Sequence, residues 1–357
     1  MEFKEIKSKE LAVMKRVLLG FSGGVDSFYA AHLLLEQGFN VYPVYFKLLP
    51  DADTTKPRRS AELLNLKLTV VDLTEEFKKA VIDYFIAYYR KGLTPNPCAV
   101  CNREIKLKEL YKLARKLKIP YIATGHYARV EKVESFGRKL IKRGVEPGKE
   151  QSYFLALVEQ RVFENLILPL GNLTKREVIE KAKKLGFPFE GESQDVCFIK
   201  EKSYADFLRK FIKPRPGPFK LTTGEVLGKH KGLIYYTVGQ RRGLGISYKH
   251  PLYVVELRPK ENAVIVGPKE AVEKDEITVW KVNWHVPQER LTDLPLLAQV
   301  RYRSEPVPVE SLHYFKNGIY RVKLAAKVSA PAPGQVCAFY SNDLLLGGGE
   351  ITREGVG

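Results

Sequence analysis

The sequence predicts an α/β chain in which a doubly wound, mostly parallel sheet is followed by two small antiparallel β-barrel-like domains. Three observations predict it. Up to about residue 212, apolar strands alternate with amphipathic helices, the rhythm of βαβ units. A Pro-rich break, KPRPGPF, begins at Lys213. Beyond it, short strands are separated by Gly, Pro and Asn turns. A length of 357 residues suits two or three domains, read as a catalytic domain over 1–212, a small central β domain over 213–272 and a C-terminal β-barrel over 273–357.

The elements follow in order. RVLLGF at Arg16–Phe21 is a short buried strand, Phe28–Gln37 a helix closed by Gly38, and Asn40–Leu48 the second strand. A helix is expected over Ser60–Leu66, a strand over Leu68–Leu73 and a long helix from Glu75 to Arg90. A basic helix, Lys106–Lys118, precedes the strand Tyr121–Ala123, and helices near Lys175–Leu185 and Ser203–Phe211 complete the first region. Later strands are expected at Leu252–Glu256, Ala263–Val266, Glu276–Trp280, Ala298–Tyr302 and Gly318–Leu324.

Charge narrows the function classes. Lys and Arg number 59 against 41 Asp and Glu, a net +18, which favours a polyanionic partner, nucleic acid or anionic lipid. Residues 102–149 hold 14 basic against 5 acidic side chains and residues 201–250 hold 11 against 3, so these two stretches carry +17 of the total. An ordinary surface intersperses both signs. No apolar run approaches the ~18 residues that span a bilayer, and the N-terminus lacks the uninterrupted apolar core of a signal peptide. Four cysteines are too few to staple a chain of this length, which fits a reducing cytoplasm and no membrane.

Between the first strand and its helix lies Ser22-Gly23-Gly24-Val25-Asp26-Ser27. Glycines there let backbone N–H groups turn inward as an anion nest, and the helix N-terminus adds partial positive charge. The loop has neither the Gly-Lys-Ser/Thr of a Walker loop nor a G-x-G-x-x-G fingerprint. It resembles the pyrophosphate loop of the N-type ATP pyrophosphatases (PP-loop enzymes). That resemblance implies an ATP site at Gly20, Phe21, Ser22, Gly23, Gly24, Val25, Asp26 and Ser27, with Phe46 and Gly125.

Thr94-Pro95-Asn96-Pro97-Cys98-Ala99-Val100-Cys101-Asn102 spaces two cysteines three apart before the basic helix, and Ser193-Gln194-Asp195-Val196-Cys197-Phe198 supplies a third. A thiolate is a strong nucleophile and sulfur carrier, and its acidity rises near a helix N-terminus or cations, as expected for Cys101. The C-x-x-C spacing alone also fits a zinc half-site, a redox disulfide or two packed thiols. Cys337 lies in an apolar β context and reads as packing.

Further motifs follow in order: GHYAR (Gly125–Arg129), KEQSYFL (Lys149–Leu155), LGNLTKREV (Leu170–Val178), GLIYYTVGQRRGLG (Gly232–Gly245), RYR (Arg301–Arg303) and PGQ (Pro333–Gln335). With the loop and the cysteine motifs, these make nearly the whole chain resemble the tRNA-specific 2-thiouridylases. The resemblance implies ATP- and Mg2+-dependent replacement of the 2-oxygen of the wobble uridine by sulfur in tRNAs for Lys, Glu and Gln, with a sulfur donor or relay protein as partner. It implies a Cys197 persulfide and Cys101 as the second thiol. The target base is implied near Asn96, Pro97 and Cys98, with His126, Lys149, Glu150, Gln151, Arg301, Tyr302 and Gln335 touching tRNA. The pattern departs at one position, where many relatives have Asp and this chain has Cys98, so a general-base role for that carboxylate does not transfer. Thiolates at 98, 101 and 197 are instead the ligand set of an alternative route through a four-iron, four-sulfur cluster. A PP-loop ligase acting on a small molecule explains the loop but not the paired basic regions. An RNA-binding module explains the charge but not the loop.

Overall fold

The computed structural model describes residues 15–191 and 196–353. In the first region five parallel strands, β1 (Arg16–Gly20), β2 (Asn40–Lys47), β3 (Thr69–Asp72), β4 (Tyr121–Thr124) and β7 (Leu166–Ile167), lie in the order β3-β2-β1-β4-β7. Val17, Leu18 and Leu19 of β1 are almost fully buried, as a strand covered on both faces requires. Strand order reverses between β1 and β4, and the register sets Gly20 beside Thr124 at their C-terminal ends. Connections leaving that edge in opposite directions open the crevice in which doubly wound sheets bind ligands.

Three helices differ from expectation in useful ways. The helix after β2 spans Thr55–Glu62, earlier than the Ser60–Leu66 expected, because Pro57 is tolerated in a first turn. The helical run through Thr74–Phe77, Lys78–Ile82 and Asp83–Arg90 has a π-wound middle. The basic helix begins nine residues before Lys106: Pro97–Cys101, a π turn Asn102–Lys106 and Leu107–Lys116 follow one another without a break. Asn96 caps the start, its side chain accepting the Ala99 N–H at 3.0 Å, and Pro97 fills the first helical position.

The middle region is a four-stranded sheet of β8 (Gly217–Leu221), β9 (Val226–His230), β10 (Tyr253–Arg258) and β11 (Ala263–Gly267) in the order β10-β11-β8-β9, with β8 and β11 parallel. Beyond it, β12 (Glu273–Trp284), β13 (Leu297–Gln299), β14 (Val307–Tyr314), β15 (Ile319–Ser329), β16 (Val336–Ser341) and β17 (Leu344–Thr352) close into an antiparallel barrel through the β12–β17 pairing. The expected strand Ala298–Tyr302 is cut short. β13 stops at Gln299 and Arg303 takes a left-handed φ of 63°, so RYR lies on a turn.

A hairpin from the first region, β5 (Ala128–Val133) and β6 (Arg138–Arg143), adds to the barrel edge, with Leu345 opposite Ile141. Leu18, Leu110 and Tyr153 consequently share one core with Val336, Tyr340 and Leu345, and the Tyr153 hydroxyl donates to the Val336 carbonyl at 2.6 Å. The barrel is thereby held against the sheet that carries the loop.

Candidate active site

The loop after β1 keeps its shape through its own side chains. Gly23 has φ +78°, and a Cβ there would lie 2.5 Å from Pro57 Cα, so only glycine fits. Its N–H donates to Ser27 Oγ at 3.1 Å, and Ser27 Oγ donates to the Gly24 carbonyl at 3.0 Å. Gly24 caps the helix Val25–Glu36 without a side-chain bond, which leaves the helix N-terminus open to an anion. Gly125, at the end of β4, approaches so closely that an added Cβ would sit 3.0 Å from the Asp26 carbonyl carbon.

Asp26, beside that nest, is held by side chains from two other segments. Its carboxylate accepts the Tyr127 hydroxyl at 2.7 Å and Lys175 Nζ at 2.6 and 2.8 Å. Three segments far apart in sequence, SGGVDS, GHYAR and LTKREV, are thus tied at one carboxylate. The sequence marks the last segment only as a family motif; Lys175 gains its role from this contact.

A cavity of ≈ 400 Å³ opens at the switch point. Gly20, Phe21, Ser22, Asp26, Ser27, Phe46 and Gly125, the residues expected on ATP, line it together with Lys106, His126, Gln151 and Cys197. Gly23 faces a second cavity of ≈ 620 Å³ beside Lys56 and Arg59, while Gly24 and Val25 line neither.

The thiols differ sharply in environment. Cys197 is exposed, Cys98 half-buried and Cys101 buried; Cys337 is sealed in the barrel, where burial pushes its thiol pKa up. Ser193, Gln194 and Asp195 lie outside the described residues. The expectation that Cys101 sits at a helix N-terminus with raised acidity is corrected: the helix starts at Pro97, Cys101 is interior, and burial pushes its pKa up to about 12 against the pull of Lys106. Cys98, one turn earlier, occupies the first turn instead.

Lys106 ties the group together. Burial works to lower its pKa, but Cys101, Cys197 and Cys98 outweigh that and hold its ammonium above the usual range. The three thiols therefore share one neighbourhood. Among the described residues, however, no group of three or more His, Cys, Asp or Glu side chains is placed to hold a metal ion, so the three thiols as placed do not form the iron–sulfur ligand set. His126 Nδ1 is 2.7 Å from Thr124 Oγ1, and burial, then the Lys106 charge, push its pKa down to about 3, leaving a neutral imidazole in the cavity wall.

The residues expected on tRNA divide into two sets. Asn96 is buried and donates to Gln335 Oε1 at 3.5 Å, while Gln335 Nε2 donates to the Pro95 carbonyl at 3.2 Å, so PGQ clamps the cysteine loop. Glu150 is buried with its oxygens committed to Arg143 Nη1 at 2.7 Å and to the Ser152 N–H and hydroxyl at 2.9 and 2.6 Å. Gln151 lines the cavity while accepting the Tyr127 N–H at 3.1 Å. Lys149 and Tyr302 are half-buried and Arg301 exposed. The Tyr302 ring lies 4.5 Å from Phe154, with the Arg303 guanidinium 5.0 Å from its centroid. Arg241 and Arg242 are exposed.

Comparison with known proteins agrees with this layout. Residues 15–201 match the family described as tRNA methyl transferase HUP domain, 205–268 its PRC-barrel domain and 274–351 an aminomethyltransferase beta-barrel domain. An anion loop at the switch point of a parallel sheet, followed by two β modules, defines a PP-loop enzyme of the HUP class. The chain is 38% identical over 95% of its length to tRNA-specific 2-thiouridylase MnmA of Clostridioides difficile, and 41% over 94% to MnmA of Aquifex aeolicus, covering 98% of each relative. MnmA of Moorella thermoacetica is 41% identical over 94% of the chain and 98% of its own. The chain belongs to the tRNA-specific 2-thiouridylases. In the described residues no helix is long and apolar enough to cross a membrane.

Proposed function

We propose that this chain replaces the 2-oxygen of the wobble uridine by sulfur in tRNAs for Lys, Glu and Gln, using ATP and a Cys197 persulfide. One observation carries the reading: a single cavity is lined both by residues of the anion loop and by an exposed thiol. A uracil carbonyl is a poor electrophile. Attack of its 2-oxygen on the α-phosphorus of ATP expels pyrophosphate and turns that oxygen into part of a leaving AMP. The terminal sulfur of the Cys197 persulfide then attacks C2 and AMP departs. Cys101 attacks the Cys197 sulfur, the S–S bond to the uridine sulfur breaks, and 2-thiouridine leaves behind a Cys101–Cys197 disulfide that a thiol reductant reopens.

Exposure supports this division of labour. An exposed Cys197 is open to a sulfur donor or relay protein, and a buried, protonated Cys101 is shielded from adventitious oxidants. Mg2+ would be carried on the ATP phosphates, since among the described residues no carboxylate cage is placed to hold it. Exposed Arg241, Arg242 and Arg301 suit phosphate contacts, and Tyr302 suits stacking on an anticodon base. We place the reaction in the cytoplasm, with its tRNA and reductant.

The test measures 2-thiouridine by mass spectrometry of digested tRNA. Cys101→Ser and Cys197→Ser should each abolish the product, while pyrophosphate release from ATP stays dependent on tRNA. Full activity in either variant, or release stimulated by a small acid instead of tRNA, overturns the reading. The thiols as placed do not fit an iron–sulfur cluster, so the persulfide is the route carried here. Iron and labile sulfide in anaerobically prepared protein, lost in Cys98→Ser, would overturn it.

A further inference from the structure

Arg143, the last residue of β6, has both of its main-chain groups fixed: its N–H donates to the Asp343 carbonyl at 2.9 Å, and its carbonyl accepts Arg129 Nε at 2.7 Å. Its side chain therefore starts from a pinned point. The guanidinium carbon lies 3.8 Å from the centroid of the buried Tyr340 ring, with Nη1 donating to Glu150 Oε1 at 2.7 Å and Nη2 to Gln299 Oε1 at 2.8 Å. A planar fork stacked on an aromatic face holds two acceptors in a fixed relation, which a lysine ammonium does not.

Gln299 passes the link on. It ends β13, is almost fully buried, and donates from Nε2 to the Arg301 carbonyl at 3.2 Å. A guanidinium only donates and a carbonyl only accepts, so a side chain joining them must do both, as an amide does. The Arg301 carbonyl also accepts the Ser304 N–H at 3.0 Å and its hydroxyl at 2.8 Å, which closes the turn in which Arg303 takes its left-handed φ. On the other side of the fork, Glu150 holds Ser152 by N–H and hydroxyl, and Gln151 between them lines the cavity. One guanidinium thus joins the turn that bears Arg301 and Tyr302 to the segment that reaches the cavity wall.

We propose that Arg143 and Gln299 are positioning residues for tRNA: the link Glu150–Arg143–Gln299–Arg301 fixes the RYR turn relative to the catalytic cavity, so that Arg301 and Tyr302 hold the anticodon arm while the wobble uridine enters. Both act through the side chains of that turn. Glu150, buried and bonded at both oxygens, serves the same link instead of contacting RNA. A buried network with its members satisfied specifies one arrangement, whereas an exposed ion pair would let the turn drift. The assignment rests on the reading above that Arg301 and Tyr302 meet tRNA.

The experiment measures the affinity of the full chain for unmodified tRNA for Glu by filter binding, with ATP affinity and melting temperature alongside. Gln299→Met removes the bond to the Arg301 carbonyl and leaves Arg143 on Glu150 and Tyr340. It should weaken tRNA binding by about tenfold, within the range that loss of one base–aromatic stack produces, with ATP affinity unchanged. Arg143→Lys, which keeps the charge but not the fork, should match it. In a background already carrying Arg301→Ala and Tyr302→Ala, Gln299→Met should cost less than about twofold, because a positioning residue acts only through the groups it positions. Unchanged tRNA affinity in Gln299→Met, or the same loss in both backgrounds, overturns the proposal and leaves the network a structural one. Should Arg143→Lys fail to fold, the Gln299→Met comparison decides alone. Failure of the underlying reading is separately visible: the double-alanine background would then bind tRNA as tightly as the wild type.

Discussion

At the residue scale, the thiols and the loop were legible because their chemistry is written in their type and spacing: glycines next to serines at a strand end, and cysteines in a C-x-x-C. Lys106 and Lys175 were not, since both sit among many lysines and only three-dimensional placement separates them from solvated charges. Lys175 earns its significance by holding Asp26 with Tyr127, 149 residues away in sequence. Asp26 lies beside a nest intended for a triphosphate, so an unneutralised carboxylate there repels the ligand. Lys175→Met should raise the KM for ATP about tenfold in a tRNA-dependent pyrophosphate assay, in keeping with loss of one partly buried charge partner. Lys175→Arg should restore part of it. An unchanged KM would mean that Asp26 does not report on the phosphates.

At the scale of elements, the sequence predicted the strands of the parallel sheet well, because buried βαβ strands read as short continuous apolar runs. It misplaced the start of the basic helix, since Pro97 looked like a loop residue although it is favoured at the first helical position behind an Asn cap. Sequence also gave no sign that PGQ and the cysteine loop touch. Gly334, at φ +96°, brings the barrel so close that an added Cβ would lie 2.9 Å from the Thr94 carbonyl oxygen, and the Thr94 N–H donates to the Pro333 carbonyl at 2.8 Å. This clamp fixes where Cys98 and Cys101 stand relative to the cavity. Gly334→Ala should therefore cut thiolation at least about tenfold, as misplacement of reacting groups does, while pyrophosphate-loop chemistry with ATP persists. Equal loss of both activities would assign the glycine to folding.

At the scale of the whole molecule, charge and architecture converge. The net +18 is concentrated in 102–149 and 201–250. The first stretch runs through the basic helix, β4 and the β5–β6 hairpin that extends the barrel sheet, and the second enters the four-stranded module with Arg241 and Arg242 exposed. Hairpin recruitment was invisible to the sequence because β6 adds to Leu344 and Leu345, the start of a β17 already paired with β16 and β12 and distant in sequence. Basic residues thus lie on more than one region of the fold, as docking of a substrate larger than a nucleotide needs. Many of these cations have local acidic partners, Lys142 with Glu131 at 3.1 Å and Lys220 with Glu261 at 2.9 Å, so only the unpaired remainder is available to displace counterions. With about six phosphates neutralised, tRNA affinity should fall roughly 10³-fold between 50 and 200 mM salt. ATP binding, confined to the loop and cavity, should change far less. Replacing Arg241 and Arg242 together by Gln should reduce the slope of log affinity against log salt by about 1 to 2, leaving ATP binding intact. A slope that does not move would remove the middle module from the tRNA surface and confine docking to the first region and the barrel.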